Sequence, residues 1–444
     1  MAQLKATAGE VLRKRLENKT ATIAVVGLGY VGLPLVRSVH DSGFRVIGYD
    51  ADDAKITQLR CGESYIRHIG NELASELAAS DRFEPTSDAR RLADADAILL
   101  CVPTPLGPHR EPDLSFVLDC TEMIAQTLRA GQLVVLESTT YPGTTREEMQ
   151  PILEASGLVC GTDFFLAYSP EREDPGRDID RATIPRIVGG VDAASADIAT
   201  ILYGHLVDQV LTVSSAEVAE ASKLLENIYR AVNIALVNEL KILLSDMGID
   251  VWEVIEAAST KPFGFQAFRP GPGLGGHCIP IDPFYLAWKA KAMGHSTKFI
   301  ELAGEINAHM PEYVISQVMI ALNDDGKPLR GSKTLVIGIA YKPDIDDVRE
   351  SPAAHIIELL QAGGATVSYH DPHVPTFPQM REHDIDLSSV PLTAATVEEH
   401  DCVLIVTDHS AVDYDLIGRH AGLVVDTRNA MAGVKDPRAR IVKA

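Results

Sequence analysis

A short apolar run that ends in a glycine-rich turn constrains the fold of this chain more than any other feature of its sequence. The run Thr22–Val26 is rich in β-branched residues and leads directly into the segment Gly27–Gly32, which reads GLGYVG. Three similar runs follow, each ending in a turn signal before a helix-like stretch: Arg45–Tyr49, Ala97–Val102 and Leu133–Leu136. Short buried strands that alternate with helices predict an α/β fold with a doubly wound parallel sheet.

The glycine spacing in this turn favours a dinucleotide ligand. In a G-x-G-x-x-G turn between a strand and a helix, Gly27 permits the tight turn, Gly29 lets a pyrophosphate approach, and Gly32 allows close helix–strand packing. Asp50, at the end of the second run, is suited to accept hydrogen bonds from ribose hydroxyls and to repel a 2′-phosphate, which favours NAD over NADP. Three polar residues near neighbouring predicted strands are candidates for the rim of the site: Lys55, Thr86 and Thr104.

The composition excludes several classes of protein. Of the 444 residues, 46% are hydrophobic and 23% are charged, which is typical of a globular chain. The net charge of -22 disfavours a nucleic-acid partner, because an acidic surface repels polyanions. No signal peptide and no apolar run long enough to span a membrane is visible, and the six cysteines form no CxxC pair. We therefore expect a cytoplasmic protein with free thiols, no membrane partner and no metal site.

A long helix is predicted in the middle of the chain. Between Ser215 and about Met247 there is no proline or glycine, and apolar residues recur at i+3 and i+4 steps, as in an amphipathic helix. Ser214 or Ser215 is a suitable N-cap and Gly248 a suitable end. The apolar positions extend beyond one face of this helix, which indicates a partner helix.

The βα alternation resumes after the predicted linker Asn323–Pro328. Four strands are expected there: Thr334–Ile339, Ala365–His370, Cys402–Thr407 and Leu423–Asp426. The chain is therefore predicted to have three parts. These are an amino-terminal Rossmann-like NAD-binding domain over residues 1–212, a central helical domain over 213–322, and a second Rossmann-like domain over 323–444.

Three groups of residues outside the glycine turn could carry chemistry. Cys278 lies in a loop rich in glycine and proline, where a thiol is either a nucleophile or a structural residue in a rigid turn. Lys223 and Asn227 are one turn apart on the same face of the predicted long helix, and they either point into a site or lie on the surface. Glu171 lies in a charged turn and is either an acid–base group or a solvated carboxylate.

Six ordered motifs resemble the UDP-glucose/GDP-mannose dehydrogenase family, and together they cover the chain from about residue 21 to 430. The motifs are Gly27–Pro34 (GLGYVGLP), Glu137–Thr145 (ESTTYPGTT), Ser169–Glu173 (SPERE), Glu220–Asn227 (EASKLLEN), Gly275–Asp282 (GGHCIPID) and Tyr341–Pro352 (YKPDIDDVRESP). The segment Gly271–Leu286 is most similar to the branch that acts on UDP-N-acetylglucosamine.

The resemblance implies a four-electron oxidation of the sugar C6 alcohol to a carboxylate, with two NAD molecules and one active site. Cys278 would add to the intermediate aldehyde as a thiohemiacetal, and a second hydride loss would give a thioester that water hydrolyses. A thiol suits this role because an aldehyde has no hydride to lose until a nucleophile adds to it. The family also implies a homodimer through the long helix and a role in making uronic-acid precursors of surface polysaccharides.

The resemblance also implies catalytic roles for five more residues. Lys223 would stabilise the developing alkoxide or oxyanion, and Asn227 would hold the C6 oxygen. Asp282 would assist proton transfer or position water. Glu171 would serve in thioester hydrolysis, and Thr139 would place water near the nicotinamide.

Binding residues follow from the same motifs. Contacts to the nucleotide sugar are implied for Glu171, Arg172, Lys223, Asn227, Phe268, Arg269, Gly275 and Lys342. Contacts to NAD are implied for Gly27, Gly29, Tyr30, Val31, Gly32, Asp50, Lys55, Thr86, Thr104, Thr139 and Arg349, the last reaching over from the carboxyl-terminal domain.

Two positions depart from the pattern of many family members. Ile281 stands where many relatives carry lysine, and Phe263–Leu274 replaces a shorter Asn/Tyr-containing loop of glucose-specific members. UDP-glucose, UDP-N-acetylgalactosamine and UDP-N-acetylmannosamine are therefore alternative substrates. A two-electron β-hydroxyacid dehydrogenase and a non-catalytic nucleotide sensor are alternatives of a different kind. The first needs neither a thiol nor a second α/β unit, and the second requires loss of Cys278.

Overall fold

A computed structural model describes residues 6–66, 69–107, 109–172, 181–276, 279–380 and 383–444. The chain divides into two compact units. The first comprises residues 1–226 with 284–295, and the second comprises residues 227–283 with 296–444. Cys278 lies outside the described residues.

The first unit contains an eight-stranded sheet. Its strands are β1 (Thr22–Val26), β2 (Arg45–Tyr49), β3 (Phe83–Thr86), β4 (Ala97–Leu100), β5 (Leu133–Leu136), β6 (Phe165–Tyr168), β7 (Arg186–Gly190) and β8 (Val210–Thr212). They lie in the order β3-β2-β1-β4-β5-β6-β7-β8. All neighbours are parallel except β6 and β7, which are antiparallel. The predicted α/β class is confirmed, with one antiparallel pair that the sequence patterns did not indicate.

Both faces of this sheet are covered by apolar side chains. Ile23 and Val25 of β1 belong to one buried cluster, whereas Ala24 and Val26 belong to another. The alternation explains why the strand is apolar at successive positions. The helices of this unit that precede the long helix are α1 (Ala8–Glu17), α2 (Gly32–Asp41), α3 (Asp53–Arg60), α4 (Gly70–Ala78), α5 (Ser115–Ala125), α6 (Gln150–Glu154) and α7 (Ala193–Tyr203).

The long helix α8 spans Ala216–Asp246, as its periodicity predicts. The hydroxyl of Ser215 accepts a hydrogen bond from the N–H of Val218 at 3.4 Å, so Ser215 is the cap. Gly248 ends the helix with φ of 72°, a conformation that glycine adopts without strain. The helix begins in the first unit and ends in the second.

The second unit contains a five-stranded parallel sheet. Its strands are β9 (Lys333–Ile337), β10 (Thr366–His370), β11 (Cys402–Ile405), β12 (Leu423–Asp426) and β13 (Arg440–Lys443), in the order β10-β9-β11-β12-β13. The other helices of the chain are α9 (Val251–Ser259), α10 (Asp282–Ala292), α11 (Lys298–Ala308), α12 (Met310–Asp324), α13 (Pro352–Ala362), α14 (Ala394–Glu398) and α15 (Tyr414–His420).

Strand β13 was missed by the sequence patterns because basic residues flank only two apolar ones. Helix α12 extends to Asp324, so the linker begins two residues later than the predicted start at Asn323. In the part of the chain that the structure describes, no helix combines the length and apolarity needed to span a bilayer.

Candidate active site

The glycine turn lies at the carboxyl ends of β1 and β4, where the strand order of the first sheet reverses. Open α/β sheets bind ligands at this position. The N–H of Gly27 donates to the carbonyl of Tyr49 at 2.8 Å, which ties the turn to β2. A Cβ on Gly27 would lie 2.4 Å from the carbonyl oxygen of Cys101. A Cβ on Gly32 would lie 1.8 Å from the carbonyl oxygen of Gly27, whereas a Cβ on Gly29 would meet nothing within 4 Å.

Two of the three glycines are therefore required by the fold, and Gly29 faces open space. Helix α2 starts at Gly32, and no side chain among the described residues caps its first turn. Uncapped N–H groups at a helix amino terminus suit a phosphate. Val31 is exposed at this end, and Tyr30 packs against the core below it. The turn thus fits a dinucleotide pyrophosphate.

Asp50 is buried directly beside the glycine turn. Its Oδ2 accepts hydrogen bonds from the N–H of Leu28 at 2.9 Å and from Lys55 Nζ at 3.0 Å. Its Oδ1 accepts from the N–H of Asp52 at 3.0 Å. Asp50 therefore shapes the turn, and Lys55 is its ion-pair partner; the contact of Asp50 with a ribose stays a prediction.

The other predicted rim residues lie at the ends of neighbouring strands. Thr86 ends β3, and its carbonyl accepts a hydrogen bond from the N–H of Asp50 at 3.3 Å. Thr104 follows β4 and is buried, whereas Thr139 follows β5 and is half-buried. All three belong to the first unit, at the carboxyl edge of its sheet, where parallel strands place ligand contacts.

A buried ion cluster lies between β5, β6 and β7. Arg186 donates from Nη1 to Glu171 Oε2 at 2.9 Å and from Nε to Ser169 Oγ at 3.0 Å, and its Nη2 bonds Glu137. Tyr203 donates its hydroxyl to the other oxygen of Glu137 at 2.5 Å. Burial raises the pKa of Glu137, and the positive charge of Arg186 opposes that rise.

Sequence reasoning proposed Glu171 but missed Arg186 and Tyr203. The antiparallel register explains how the cluster forms: Ala167 pairs with Gly190 and Tyr168 with Gly189, so continuing the register sets Glu171 opposite Arg186. A usable signal was present, since Arg186 opens a strand that is buried throughout. Arginine is rarely buried without a carboxylate partner.

Arg172, the predicted substrate contact beside Glu171, is held within the first unit. Its Nη1 donates to the carbonyl of Pro185 at 2.7 Å, and its Nη2 lies 2.6 Å from Glu226 Oε1. Glu226 is on helix α8, three residues after Lys223.

Lys223 is itself buried, with a relative exposure of 7%, which is unusual for a lysine on a helix surface.

Asn227 and Asp282 meet in the second unit. Asn227 Nδ2 donates to Asp282 Oδ2 at 2.5 Å, and both side chains are buried. Asp282 is the first residue of α10, so this bond ties the end of the glycine-rich loop to helix α8. The structure therefore brings together two of the predicted catalytic residues.

The glycine-rich loop approaches the segment that follows β9. A Cβ on Gly275 would lie 2.6 Å from the Cβ of Tyr341, and the N–H of Gly276 donates to the carbonyl of Arg349 at 3.1 Å. The Arg349 guanidinium makes a bidentate contact with the Asp347 carboxylate, with Nη2 2.6 Å from Oδ2. Lys342 is half-buried beside Tyr341, with its Nζ 5.7 Å from the ring centre. Glycine is needed at 275 because backbone and side chains crowd it.

Phe268 and Arg269 are held by aromatic contacts near helix α9. The Phe268 ring makes an edge contact with Tyr229 at 5.6 Å between centroids. The guanidinium of Arg269 lies 5.8 Å from the Trp252 ring centre and is otherwise exposed. An exposed cation on a packed aromatic support is a suitable contact for an anionic ligand.

Arg428 is a further cation that sequence reasoning missed. It follows β12, and its Nη1 would lie 2.4 Å from a Cβ on Gly271. Its Nε donates to the carbonyl of Val406 at 2.8 Å, and burial lowers its pKa. Its position after a strand at the carboxyl edge of the sheet was the available signal.

Four of the other five cysteines are poor nucleophiles. Burial raises the pKa of Cys120 to about 11 and the pKa values of Cys160 and Cys402 to about 12. Burial also raises the pKa of Cys101. Cys61 is exposed at the end of α3. The thiols of Cys101, Cys120, Cys160 and Cys402 stay protonated at neutral pH, because the thiolate is the form that burial disfavours.

The first unit, with its glycine turn, uncapped helix terminus and buried Asp50, is defined by these features as a dinucleotide-binding domain. Comparison with known proteins assigns a family to the whole chain. Three models of the UDP-glucose/GDP-mannose dehydrogenase family match the chain: the NAD binding domain over residues 21–207, the central domain over 217–309 and the UDP binding domain over 335–433.

Named relatives agree with these matches. Protein CapL of Staphylococcus aureus is 38% identical over 91% of this chain and 95% of its own length. UDP-N-acetyl-D-glucosamine 6-dehydrogenase of Pseudomonas aeruginosa is 35% identical over 88% and 91%, respectively. The solved UDP-D-ManNAc dehydrogenase of Pyrococcus horikoshii is 34% identical, with a TM-score of 0.84 over 95% of this chain and 98% of that one.

The chain belongs to the UDP-glucose/GDP-mannose dehydrogenase family. The sequence-based prediction of an NAD-dependent nucleotide-sugar dehydrogenase is thereby confirmed. The roles of individual site residues stay predictions.

Proposed function

We propose that this enzyme oxidises C6 of a UDP-N-acetylhexosamine, first of all UDP-N-acetylglucosamine, to the uronic acid in a four-electron reaction. The observation that carries the proposal is the buried bond between Asn227 and Asp282. It places an amide and a carboxylate together at the end of the loop that contains Cys278. The acetamido substrate is supported by relatives named for UDP-N-acetyl-D-glucosamine and UDP-N-acetyl-D-mannosamine.

Bound NAD supplies the hydride acceptor in both oxidation steps. The first oxidation takes a hydride from C6 and a proton from its hydroxyl, leaving an aldehyde. The Cys278 sulfur then bonds to C6, and the thiol proton moves to the former carbonyl oxygen. Loss of a second hydride from C6, and of that hydroxyl proton, gives a thioester. Water finally forms a C–O bond as the C–S bond breaks, which releases the acid and regenerates the thiol.

The residues near the reacting carbon act on charge and protons in this scheme. Lys223 stabilises the oxyanion that forms on the C6 oxygen, and Asn227 donates a hydrogen bond to the same oxygen. Asp282, held by Asn227, accepts a proton or orients water. Glu171 deprotonates the hydrolytic water, and Thr139 places water near the nicotinamide.

Binding contacts are proposed for the cations and glycines of each unit. In the first unit, NAD is held by the glycine turn, Asp50 and the α2 terminus. In the second unit, the sugar nucleotide contacts Lys342, Gly275 and Arg269. Arg428 adds a cation for the diphosphate, since its terminal nitrogens have no acceptor among the hydrogen bonds of the described residues.

The stoichiometry of NADH formation tests the reaction. With limiting UDP-N-acetylglucosamine, we expect two NADH per sugar, measured by absorbance, and a uronic acid product identified by mass spectrometry. A yield of one NADH would contradict the thioester route and support two-electron chemistry of the β-hydroxyacid dehydrogenase kind. Parallel assays with UDP-N-acetylmannosamine, UDP-N-acetylgalactosamine and UDP-glucose rank the substrates by kcat/KM, and a preference for UDP-glucose would overturn the acetamido assignment.

We also propose that the protein is a homodimer in which helix α8 contacts its partner. Apolar side chains are exposed along this helix, among them Leu225 at 67%, Leu236 at 52% and Leu243 at 53%. Such a stripe is typical of a covered surface. Light scattering of the purified protein should give twice the 48.0 kDa chain mass, and Leu236→Asp should shift the measured mass toward that of the monomer. A monomeric parent protein would contradict the proposal.

A further inference from the structure

The ion cluster around Arg186 contains two carboxylates, of which only Glu171 is accessible to solvent. Arg186 is 7% exposed, and Glu137 is 2% exposed. Glu171 is the accessible member, because its side chain retains 17% of its exposure. A buried arginine needs charge compensation, and a guanidinium can bind one carboxylate on each side.

Glu137 is enclosed by the described residues of the first unit, with a relative exposure of 2%. One of its oxygens bonds Arg186, and the other accepts the Tyr203 hydroxyl at 2.5 Å. The Arg186 guanidinium also lies 5.0 Å from the centre of the Tyr203 ring. Glu137 and Tyr203 therefore fix the orientation of Arg186, because they restrict both its hydrogen bonds and its stacking.

The Glu171 carboxyl is in turn held at both oxygens. Oε2 accepts from Arg186, and Oε1 accepts from the N–H of Arg172 at 2.6 Å. A cavity of about 30 Å³ is lined by Glu171 and Arg186, which is enough for one water molecule. The carboxyl is thus pinned in one rotamer beside a space of water size.

We propose that Arg186 is a positioning residue for thioester hydrolysis: anchored by Glu137, it keeps Glu171 ionised and oriented toward the attacking water. Glu171 takes one proton from that water as the C–O bond forms. The C–S bond breaks, and the leaving sulfur then receives a proton. This inference rests on the proposed function, since it needs Glu171 to act on a thioester.

The other titratable groups that the structure describes around the Arg186 guanidinium do not compete with Glu171 for it in the neutral pH range. Burial raises the pKa values of Tyr203 and Cys101, so both stay protonated. Glu226 pairs with Arg172 and not with Arg186. Among the described residues, Arg186 bonds Glu171 and favours its ionised form, whereas Glu137, which bonds the same guanidinium, disfavours it.

The test is the Arg186→Lys variant, which keeps the charge but cannot bond both carboxylates. We expect a normal first burst of two NADH per site and a steady-state kcat that falls roughly 10- to 100-fold. The covalent sugar–protein adduct should accumulate and be visible by intact mass after acid quench. The acid limb of the kcat profile should move to higher pH, because weaker bonding to Glu171 favours its protonated form.

For Glu137→Gln we expect the acid limb of the kcat profile to move in the opposite direction. This variant tests the proposal if Arg186→Lys fails to fold. Removing the neighbouring negative charge favours ionised Glu171, so the acid limb should move to lower pH. Arg129→Lys is the matched control, since Arg129 bonds Asp96 at 3.0 Å and three backbone carbonyls near the amino end of β4. Arg129→Lys should change the stability of the protein, but it should neither accumulate the covalent adduct nor move the acid limb of the kcat profile.

Two results separate this inference from the proposed function. In the first, the wild-type enzyme yields two NADH and Glu171→Gln accumulates the adduct, which supports the proposed function. If neither Arg186→Lys nor Glu137→Gln then moves the acid limb or the adduct level, the role of Arg186 is wrong. If Glu171→Gln accumulates no adduct, the assignment of Glu171 to hydrolysis is wrong, and the inference falls with it.

Discussion

Cys278→Ser will abolish formation of the uronic acid while leaving NAD binding intact. A serine hydroxyl is almost entirely protonated at neutral pH, so it adds poorly to the aldehyde, and no second hydride can leave without that adduct. We expect the rate of acid formation to fall by roughly 1,000-fold or more, the scale that follows loss of a covalent nucleophile. Acid is measured by mass spectrometry, and NAD affinity by titration calorimetry.

Cys61→Ser is the control for this substitution. Cys61 is exposed at the end of α3 and has no role in the proposed chemistry, so this variant should keep the parent rate. A Cys278→Ser enzyme that still made acid at the parent rate would remove the thioester route. It would leave the NAD-binding assignment untouched, because that assignment depends on the glycine turn and Asp50.

Substitution of two glycines of the turn should have different effects: Gly32→Ala should reduce the stability of the fold, and Gly29→Ala should reduce the affinity for NAD. Gly32→Ala forces a Cβ to within 1.8 Å of the Gly27 carbonyl oxygen, so we expect a loss of about 3 kcal/mol or more in the free energy of unfolding. Gly29→Ala meets nothing within 4 Å. Its stability should change by less than about 1 kcal/mol, while its methyl group occupies the approach of the pyrophosphate.

For Gly29→Ala we expect NAD affinity to fall roughly 10-fold or more, which corresponds to about 1.4 kcal/mol. Urea unfolding measures the stabilities, and calorimetry measures the affinities. Gly422→Ala is the control, since its Cβ would also meet nothing and it lies in the second unit. Equal loss of stability in Gly29→Ala and Gly32→Ala, or unchanged NAD affinity in Gly29→Ala, would contradict the division.

Much of the architecture was predictable because it depends on local pattern. Strand β1, the turn at Gly27 and helix α8 are set by β-branched runs, glycine conformational freedom and 3.6-residue periodicity. These signals act over a few residues, so one sequence suffices to detect them. Strands β3, β6, β7, β8 and β13 were not among the predicted strands, because they are short or have a weak apolar pattern. The antiparallel placement of β7 was not predicted either, because it depends on strand order.

The candidate site was predictable only in part, and the reason is also physical. Glu171, Asn227 and Asp282 were singled out from motifs, but nothing local indicates that Asn227 bonds Asp282 or that Glu171 faces Arg186. Those contacts join residues far apart in sequence, and their formation depends on which strands and helices become neighbours.

The amino-acid sequence by itself determined that this chain has two α/β regions, a glycine turn suited to NAD and a cysteine, Cys278, in a glycine-rich loop. Tertiary structure alone decided the partners of each charged group. Arg186 lies between Glu137 and Glu171 because β7 runs against β6 and brings its first residue beside the end of that strand. Charge compensation in a buried site is a property of neighbours in space, which local sequence patterns do not specify.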